Sequence, residues 1–310
     1  MKLGFFTTCL RGVSLEEIVK FASKVGFQAL ELAAWPMKSD RDYFASTIDV
    51  NSLDTTKAAE IKKLFKDHDV VISSLGYYEN NISDNLEERK NFHEHLKKVI
   101  DAANLLEVGL VGTFVGRKGN ASVAESLEEF ANVFGELVAY AKKQGVSLMI
   151  ENCPMPGWGQ DDPNRPGQIA YSPEIWDKMF ELIPDENFGL NYDPSHLYWM
   201  GIDPYEYVTK FKDRIFHAHA KDTEILNGKL SYYGIYGTQL GERRHGGGWW
   251  RYRLPGFGEI DWSLFIRTLY DIGYDGVLSI EHEDPVFEGS RELVERGLIL
   301  GYKHLSQFIV

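Results

Sequence analysis

Glu151, Asp193, His219 and Glu281 each end a short apolar run, in SLMIE, FGLNYD, IFHAH and VLSIE. Three carboxylates and one imidazole make a hard to borderline donor set. It suits Mn²⁺, Mg²⁺, Co²⁺ or Zn²⁺, with positions left for water or a substrate oxygen. An ion held this way polarises a carbonyl and acidifies the neighbouring C–H, so the chemistry implied is proton transfer beside a carbonyl. A single acidic residue at a strand end usually bonds a loop or caps a helix. Four such ends on successive runs would crowd three negative charges with no cation to offset them, and the joint pattern points to a metal site.

The elements that must position these side chains alternate along the whole chain. Apolar runs of four to seven residues are separated by segments of helical period, the pattern of βα units around a parallel sheet. Eight strands are expected near Lys2 to Thr7, Gln28 to Ala33, Val70 to Leu75, Leu110 to Phe114, Ser147 to Glu151, Phe188 to Asp193, Ile215 to His219 and Val277 to Glu281. This predicts an α/β fold, a (β/α)8 TIM barrel formed by residues 1–310 as a single domain, with the four candidates at the strand ends where such barrels keep their active sites. Alternation puts Asn191 on the face of Asp193, His217 on that of His219, Ser279 on that of Glu281 and Met149 on that of Glu151.

Helix starts are marked by capping-box spacing at Ser14/Glu17 and Ser122/Glu125, by Ser172-Pro173 and Asp203-Pro204, and by Asp261. Gly26, Gly109, Gly145 and Gly273 are expected to end helices in left-handed turns. Two stretches are too long for ordinary βα connections: Asn152 to Tyr171 after strand five and Thr223 to Pro255 after strand seven. Both should lie over the catalytic end, where selectivity is usually built.

Composition narrows the partners. A net charge of -13 opposes nucleic acid, which requires a basic footprint, and favours a small polar substrate. No apolar stretch nears the roughly 20 residues of a membrane helix, so no membrane partner is expected. Cys9 and Cys153 are the only cysteines, are far apart, and suggest neither disulfide nor thiolate site; a cytoplasmic location is the natural reading. Neither a P-loop nor a GxGxxG fingerprint calls for a nucleotide cofactor.

Several ordered motifs resemble the xylose isomerase-like TIM-barrel superfamily. They are Ile150-Glu151-Asn152, Asp193-Pro194-Ser195-His196, His217-Ala218-His219-Ala220-Lys221-Asp222, Pro255-Gly256-Phe257-Gly258 through Trp262, and Gly273 through Gly276 leading into Ser279-Ile280-Glu281-His282-Glu283. The resemblance implies that Glu151, Asp193, His219 and Glu281 bind one divalent ion, with manganese favoured. It also implies that His196 contacts a substrate oxygen and that Arg253 stands beside the substrate, with Arg243, Arg244, His245 and Arg251 as alternatives.

Lys221 continues the face of His219 toward substrate, with Asp222 or solvent as its other partners; Glu31 projects from strand two toward substrate or a lysine. Trp250 is one of several rim aromatics, with Trp35, Tyr77, Tyr78, Phe114, Trp158 and Trp249, that suit the apolar face of a sugar ring. His217, one pleat deeper than His219, reads as a hydrogen-bonded support.

The activity expected is a divalent-metal-dependent sugar, polyol or keto-sugar isomerase or epimerase acting through a metal-stabilised enediolate. Glu151 or Glu281 would take the proton and His196 would shuttle one. The alternative is a metal-dependent dehydratase or lyase acting on a keto-inositol or keto-glycoside. The superfamily also includes abasic-site endonucleases whose three-metal cluster draws histidines from strands three and four. Leu75-Gly76-Tyr77 and Phe114-Val115-Gly116 stand there in this chain, which disfavours that reading. A carbohydrate partner is expected, and association into a homo-oligomer is open to such a barrel.

Overall fold

The computed structural model describes residues 1–37, 46–162, 164–240 and 245–310. Eight parallel strands close into a barrel: β1 Lys2–Phe6, β2 Ala29–Ala33, β3 Val71–Gly76, β4 Leu110–Thr113, β5 Ser147–Glu151, β6 Phe188–Tyr192, β7 Ile215–Ala220 and, after the ribbon strands described below, β10 Val277–Ile280. Around the ring β1 pairs with β10 and β2, and β10 pairs with β7. Helices α1 Leu15–Val25, α2 Thr55–Asp67, α3 Leu86–Leu106, α4 Val123–Lys143, α5 Pro173–Leu182, α6 Pro194–Trp199 and α7 Glu206–Lys210 follow the strands in turn. Helices α8 Asn227–Tyr233, α9 Trp262–Asp271 and α10 Arg291–Ser306 complete the chain.

Strands such as ALELA and FGLNY are buried along their whole length, because helices cover one face and the barrel interior the other. No helix among the described residues is long and apolar enough to cross a membrane.

The helix signals act as their chemistry requires. Ser14 with Glu17 and Ser122 with Glu125 form complete capping boxes, and Asp261 caps α9 through the Leu264 N–H. Three expectations are corrected. At the end of α3 the left-handed residue is Glu107, with φ 62°, and Gly109 lies beyond it in the lead to β4. Ser172 precedes Pro173 at the start of α5 but makes no side-chain cap bond. Asp203 caps a turn, accepting from the Tyr205 and Glu206 N–H groups, and α7 starts at Glu206, two residues after Pro204.

The largest departure from the sequence reading is in residues 223–255. Strand β8 Asp222–Ile225 pairs antiparallel with β9 Trp250–Arg253, opposing Asp222 to Arg253 and Ile225 to Trp250. The described residues of the stretch therefore form a two-stranded ribbon carrying α8, standing on the barrel rim. Its root is fixed by Asp222, which accepts from the Thr223, Gly256 and Ile260 N–H groups and from Trp262 Nε1 at 2.8–3.0 Å. Burial raises the Asp222 pKa even against these four donors. The other long stretch folds back on the rim through Gln168, whose amide donates to the Glu151 and Cys153 carbonyls.

Two ladder irregularities fall beside the barrel interior, between Leu30 and Glu31 on β2 and between Leu190 and Asn191 on β6. Such breaks re-aim side chains next to functional sites. Gly112 serves the same region by absence: a Cβ there would stand 2.3 Å from the Tyr78 hydroxyl, which donates to Glu31.

Candidate metal and proton-transfer site

The strand ends bring Glu151, Asp193, His219 and Glu281 together, with one ligand atom from each lying within 4.8 Å of all the others. Each arrives differently. Glu151 is the last residue of β5, His219 lies on β7, and Glu281 directly follows β10. Asp193, expected to end β6, instead caps α6. Its Oδ1 accepts from the Ser195 N–H and hydroxyl, which leaves Oδ2 facing the cluster. Asn152 clasps the Asp193 backbone from both sides, accepting from its N–H and donating to its carbonyl.

A divalent ion fits this set. Asp193 Oδ2 and His219 Nδ1 are both buried without a well-formed hydrogen bond: Oδ2 has only the ion-pair neighbours Lys221 Nζ at 3.2 Å and His196 Nε2 at 3.3 Å, and Nδ1 lies 3.0 Å from Glu281 Oε2 and 3.6 Å from Glu151 Oε1. Buried polar atoms left unmatched cost free energy that a shared cation recovers. The far nitrogen of the same ring, Nε2, sits 2.9 Å from Glu31 Oε2, the arrangement by which a carboxylate fixes the tautomer of a ligating histidine.

Glu31, expected to project toward substrate or a lysine, is fully buried behind His219 and held by the Tyr78 hydroxyl at 2.7 Å. His217 takes the expected supporting place, bonded to Asn191 and Ser73, and burial pushes its pKa down to about 4.

The charges in the cluster hold one another. Burial disfavours the Glu151 and Glu281 carboxylates as ions, yet Lys221 with the neighbouring imidazoles outweighs it and lowers both pKa values. Burial likewise opposes charge on His219, but Glu31 and Glu281 raise its pKa well above the usual histidine range. The Lys221 ammonium is buried and ringed by Glu281, Glu283, Asp193 and Glu151, which outweigh desolvation and raise its pKa well above normal.

His196 joins the same group. Its Nε2 is 3.0 Å from Glu151 Oε1 and 3.3 Å from Asp193 Oδ2, and its Nδ1 meets the Tyr252 hydroxyl at 2.8 Å. Tyr252 comes from β9, and its ring lies 4.5 Å from the Lys221 ammonium. It is the site residue that sequence reasoning missed. Period-two alternation in Trp250-Arg251-Tyr252-Arg253 carried the signal, but only once β9 is recognised as a strand.

That alternation decides the arginines too. With Tyr252 turned inward, Arg253 faces the other way and donates to Asp284 at 2.8 Å and Glu224 at 2.6 Å. Arg251 also pairs with Glu224. Arg253 is therefore engaged in fastening the ribbon, and the structure does not bring it to the cluster. Arg243, Arg244 and the His245 side chain lie outside the described residues.

Trp250 stacks on Trp199 of α6 with ring centroids 4.3 Å apart and a plane angle of 9°, so its contact is with the rim helix. Trp35 donates to Glu79, Trp249 donates to the Ile235 carbonyl, and Phe114 packs against Trp158.

Comparison with known proteins agrees with the fold. The family model described as xylose isomerase-like TIM barrel matches residues 19–300. The uncharacterised Bacillus subtilis (strain 168) protein YfiH is 25% identical over 307 residues, covering 92% of this chain and 93% of that protein. Clostridium perfringens inosose dehydratase is 27% identical over 175 residues, which span 54% of this chain and 51% of the dehydratase. Among solved structures, the IolI protein with a bound zinc atom superposes with a TM-score of 0.71 at 19% identity, covering 100% of this chain and 99% of that one. The E. coli 3-keto-D-glucoside 4-epimerase YcjR does so with a TM-score of 0.69 at 14% identity, covering 98% and 99%. At these identities the structural matches establish the fold alone.

Proposed function

The chain belongs to the xylose isomerase-like TIM-barrel family, and on that premise we propose that it is a divalent-metal-dependent isomerase or epimerase of a sugar, polyol or keto-sugar. The observation that carries the reading is the convergence of Glu151, Asp193, His219 and Glu281 around unmatched buried donor atoms. These four residues are the proposed ligands, and the oxygen-rich set favours Mn²⁺. When bound, the ion supplies Lewis-acid polarisation of the substrate carbonyl, so the adjacent C–H becomes acidic.

The chain's own residues then move the proton. Glu151 and Glu281 stand on β5 and after β10, with β6 and β7 between them in the ring. A substrate held between them presents one face to each. Removal by one carboxylate and return by the other inverts a carbon, and return to the neighbouring atom moves the carbonyl. Lowered pKa values keep both carboxylates ionised, the form that can accept a proton, at the cost of base strength. His196 Nε2, beside Glu151, is placed to exchange a proton with a substrate oxygen. Lys221 supplies a positive charge to that oxygen. The free thiols of Cys9 and Cys153 suit a reducing cytoplasm.

A dehydratase reading is favoured by one observation: the Tyr252 hydroxyl lies 2.8 Å from His196 Nδ1, and if it donates there the ring proton stands on Nε2, suited to protonating a departing hydroxyl. The sequence similarity to inosose dehydratase supports the same alternative. The test is incubation of the Mn²⁺-loaded protein in D₂O with ketoses, keto-inositols and 3-keto-glycosides, followed by proton NMR. Deuterium at the carbon beside the carbonyl with a rearranged sugar supports the isomerase or epimerase. Loss of a hydroxyl supports the dehydratase, and no exchange with any member tells against both. Glu281→Gln should abolish exchange with the fold intact.

A further inference from the structure

Lys221 sits where the ligand oxygens converge. Its Nζ is 2.6 Å from Glu281 Oε2, 3.2 Å from Asp193 Oδ2, 3.8 Å from Glu151 Oε1 and 3.3 Å from Glu283 Oε2. The first three oxygens face the cluster: Glu281 Oε2 is also the atom 3.0 Å from His219 Nδ1, and Asp193 Oδ2 is the oxygen left over when Oδ1 caps α6. A divalent ion requires such oxygens at about 2.0–2.2 Å. An ammonium within hydrogen-bond reach of two of them competes with the ion for those oxygens, and the two positive charges repel.

The fourth partner shows where the ammonium can go. Glu283 lies outside the proposed ligand set, and its side chain is 41% exposed against 13% for Glu281, so it stands nearer the mouth. The Tyr252 ring, 4.5 Å from Nζ, lines the lysine on the ribbon side. A rotation about the end of the side chain thus carries the charge outward while the stem stays buried.

We propose that Lys221 is a tethered cation that holds the ligand carboxylates together in the metal-free protein and is displaced by the divalent ion toward Glu283, where it faces substrate. The inference rests on the metal reading above and adds to it a coupling. Loading the ion and presenting a cation at the mouth are one event, and the lysine lowers the apparent metal affinity by the fraction of protein in which it fills the site.

The test is Mn²⁺ titration of metal-free wild type, Lys221→Met, Glu283→Gln and the double variant, read by calorimetry and by the electron spin resonance of free Mn²⁺. Lys221→Met should bind at least about tenfold more tightly than wild type, because the competitor is gone. Glu283→Gln should bind more weakly, and that effect should shrink in the Lys221→Met background, since only a displaced ammonium uses the glutamate. The metal-free Lys221→Met protein should also melt lower than wild type and gain more from saturating Mn²⁺. If Lys221→Met does not fold, Lys221→Gln takes its place in the same cycle.

Equal or weaker binding in the lysine variant overturns the proposal, because it makes Lys221 a support of the loaded site. An undiminished Glu283→Gln effect without the lysine overturns it too. If none of the four proteins binds Mn²⁺, the metal assignment falls together with this inference. If all bind and the lysine variant is no tighter, only the inference falls.

Discussion

The Tyr252 hydroxyl meets His196 Nδ1 at 2.8 Å, joining a ribbon strand to the short helix that follows β6. When the tyrosine hydroxyl donates to a bare Nδ1, the single proton of the neutral ring sits on Nε2, which faces Glu151. Tyr252→Phe removes that control while keeping the ring over Lys221. The expected result is a fall in kcat of about tenfold or more with KM little changed. Steady-state kinetics on the substrate found by the exchange screen would check it, with a matching change in KM counting against the role.

Glu31 acts through His219. Glu31→Gln leaves the volume but weakens the grip on Nε2, so metal affinity should fall about 10–100-fold. At saturating Mn²⁺ the KM for substrate should stay where it was. Unchanged metal affinity with a raised KM would return Glu31 to the substrate role that the sequence suggested.

Arg253 neutralises Asp284, a fully buried carboxylate that also accepts from the Leu254 and Val286 N–H groups. Burial opposes the charge on Arg253, and Asp284 with Glu224 outweighs it and raises the guanidinium pKa. Arg253→Met should lower stability by about 2–3 kcal/mol in denaturant unfolding. KM should move by less than about twofold, the mark of a residue that does not touch substrate.

His282 is buried with neither ring nitrogen hydrogen-bonded, and burial pushes its pKa down to about 4 from an ordinary value near 6.5. The folded state refuses a proton that the unfolded chain binds below that ordinary value. The associated stability is therefore complete above about pH 6.5 and is lost as pH falls toward 4, to the extent of about 3 kcal/mol. His217 contributes in the same window. Unfolding curves for His282→Leu should show a shallower loss than wild type between these pH values, and parallel curves would refute the assignment.

The barrel was legible because its strands are continuous apolar runs whose ends turn polar, and boundaries read from that pattern differ from the structure by a residue or so. Glu151, Asp193, His219 and Glu281 were legible for the same reason, since each ends a run. The ribbon was not. Its strands are separated by a long tip, and WRYR has too few apolar residues to announce a strand until Asp222 to Ile225 is paired with it. The resemblance drew attention to Arg253, whereas the pairing turns Tyr252 inward and Arg253 toward Asp284 and Glu224. Glu31 was legible as a residue projecting from strand two, but its pairing with His219, 188 residues away across the barrel, is not displayed by alternation within either strand.

The ribbon root is pinned at two buried aspartates, Asp222 and Asp284, and the described residues 226–240 and 245–249 lie beyond it. Leu230 of α8 and Trp249 pack in one cluster with Trp250 and Tyr252. A change of sequence in that outer part therefore acts twice: it redraws the surface above the cluster, and it reaches the Tyr252 hydroxyl through the packing beneath.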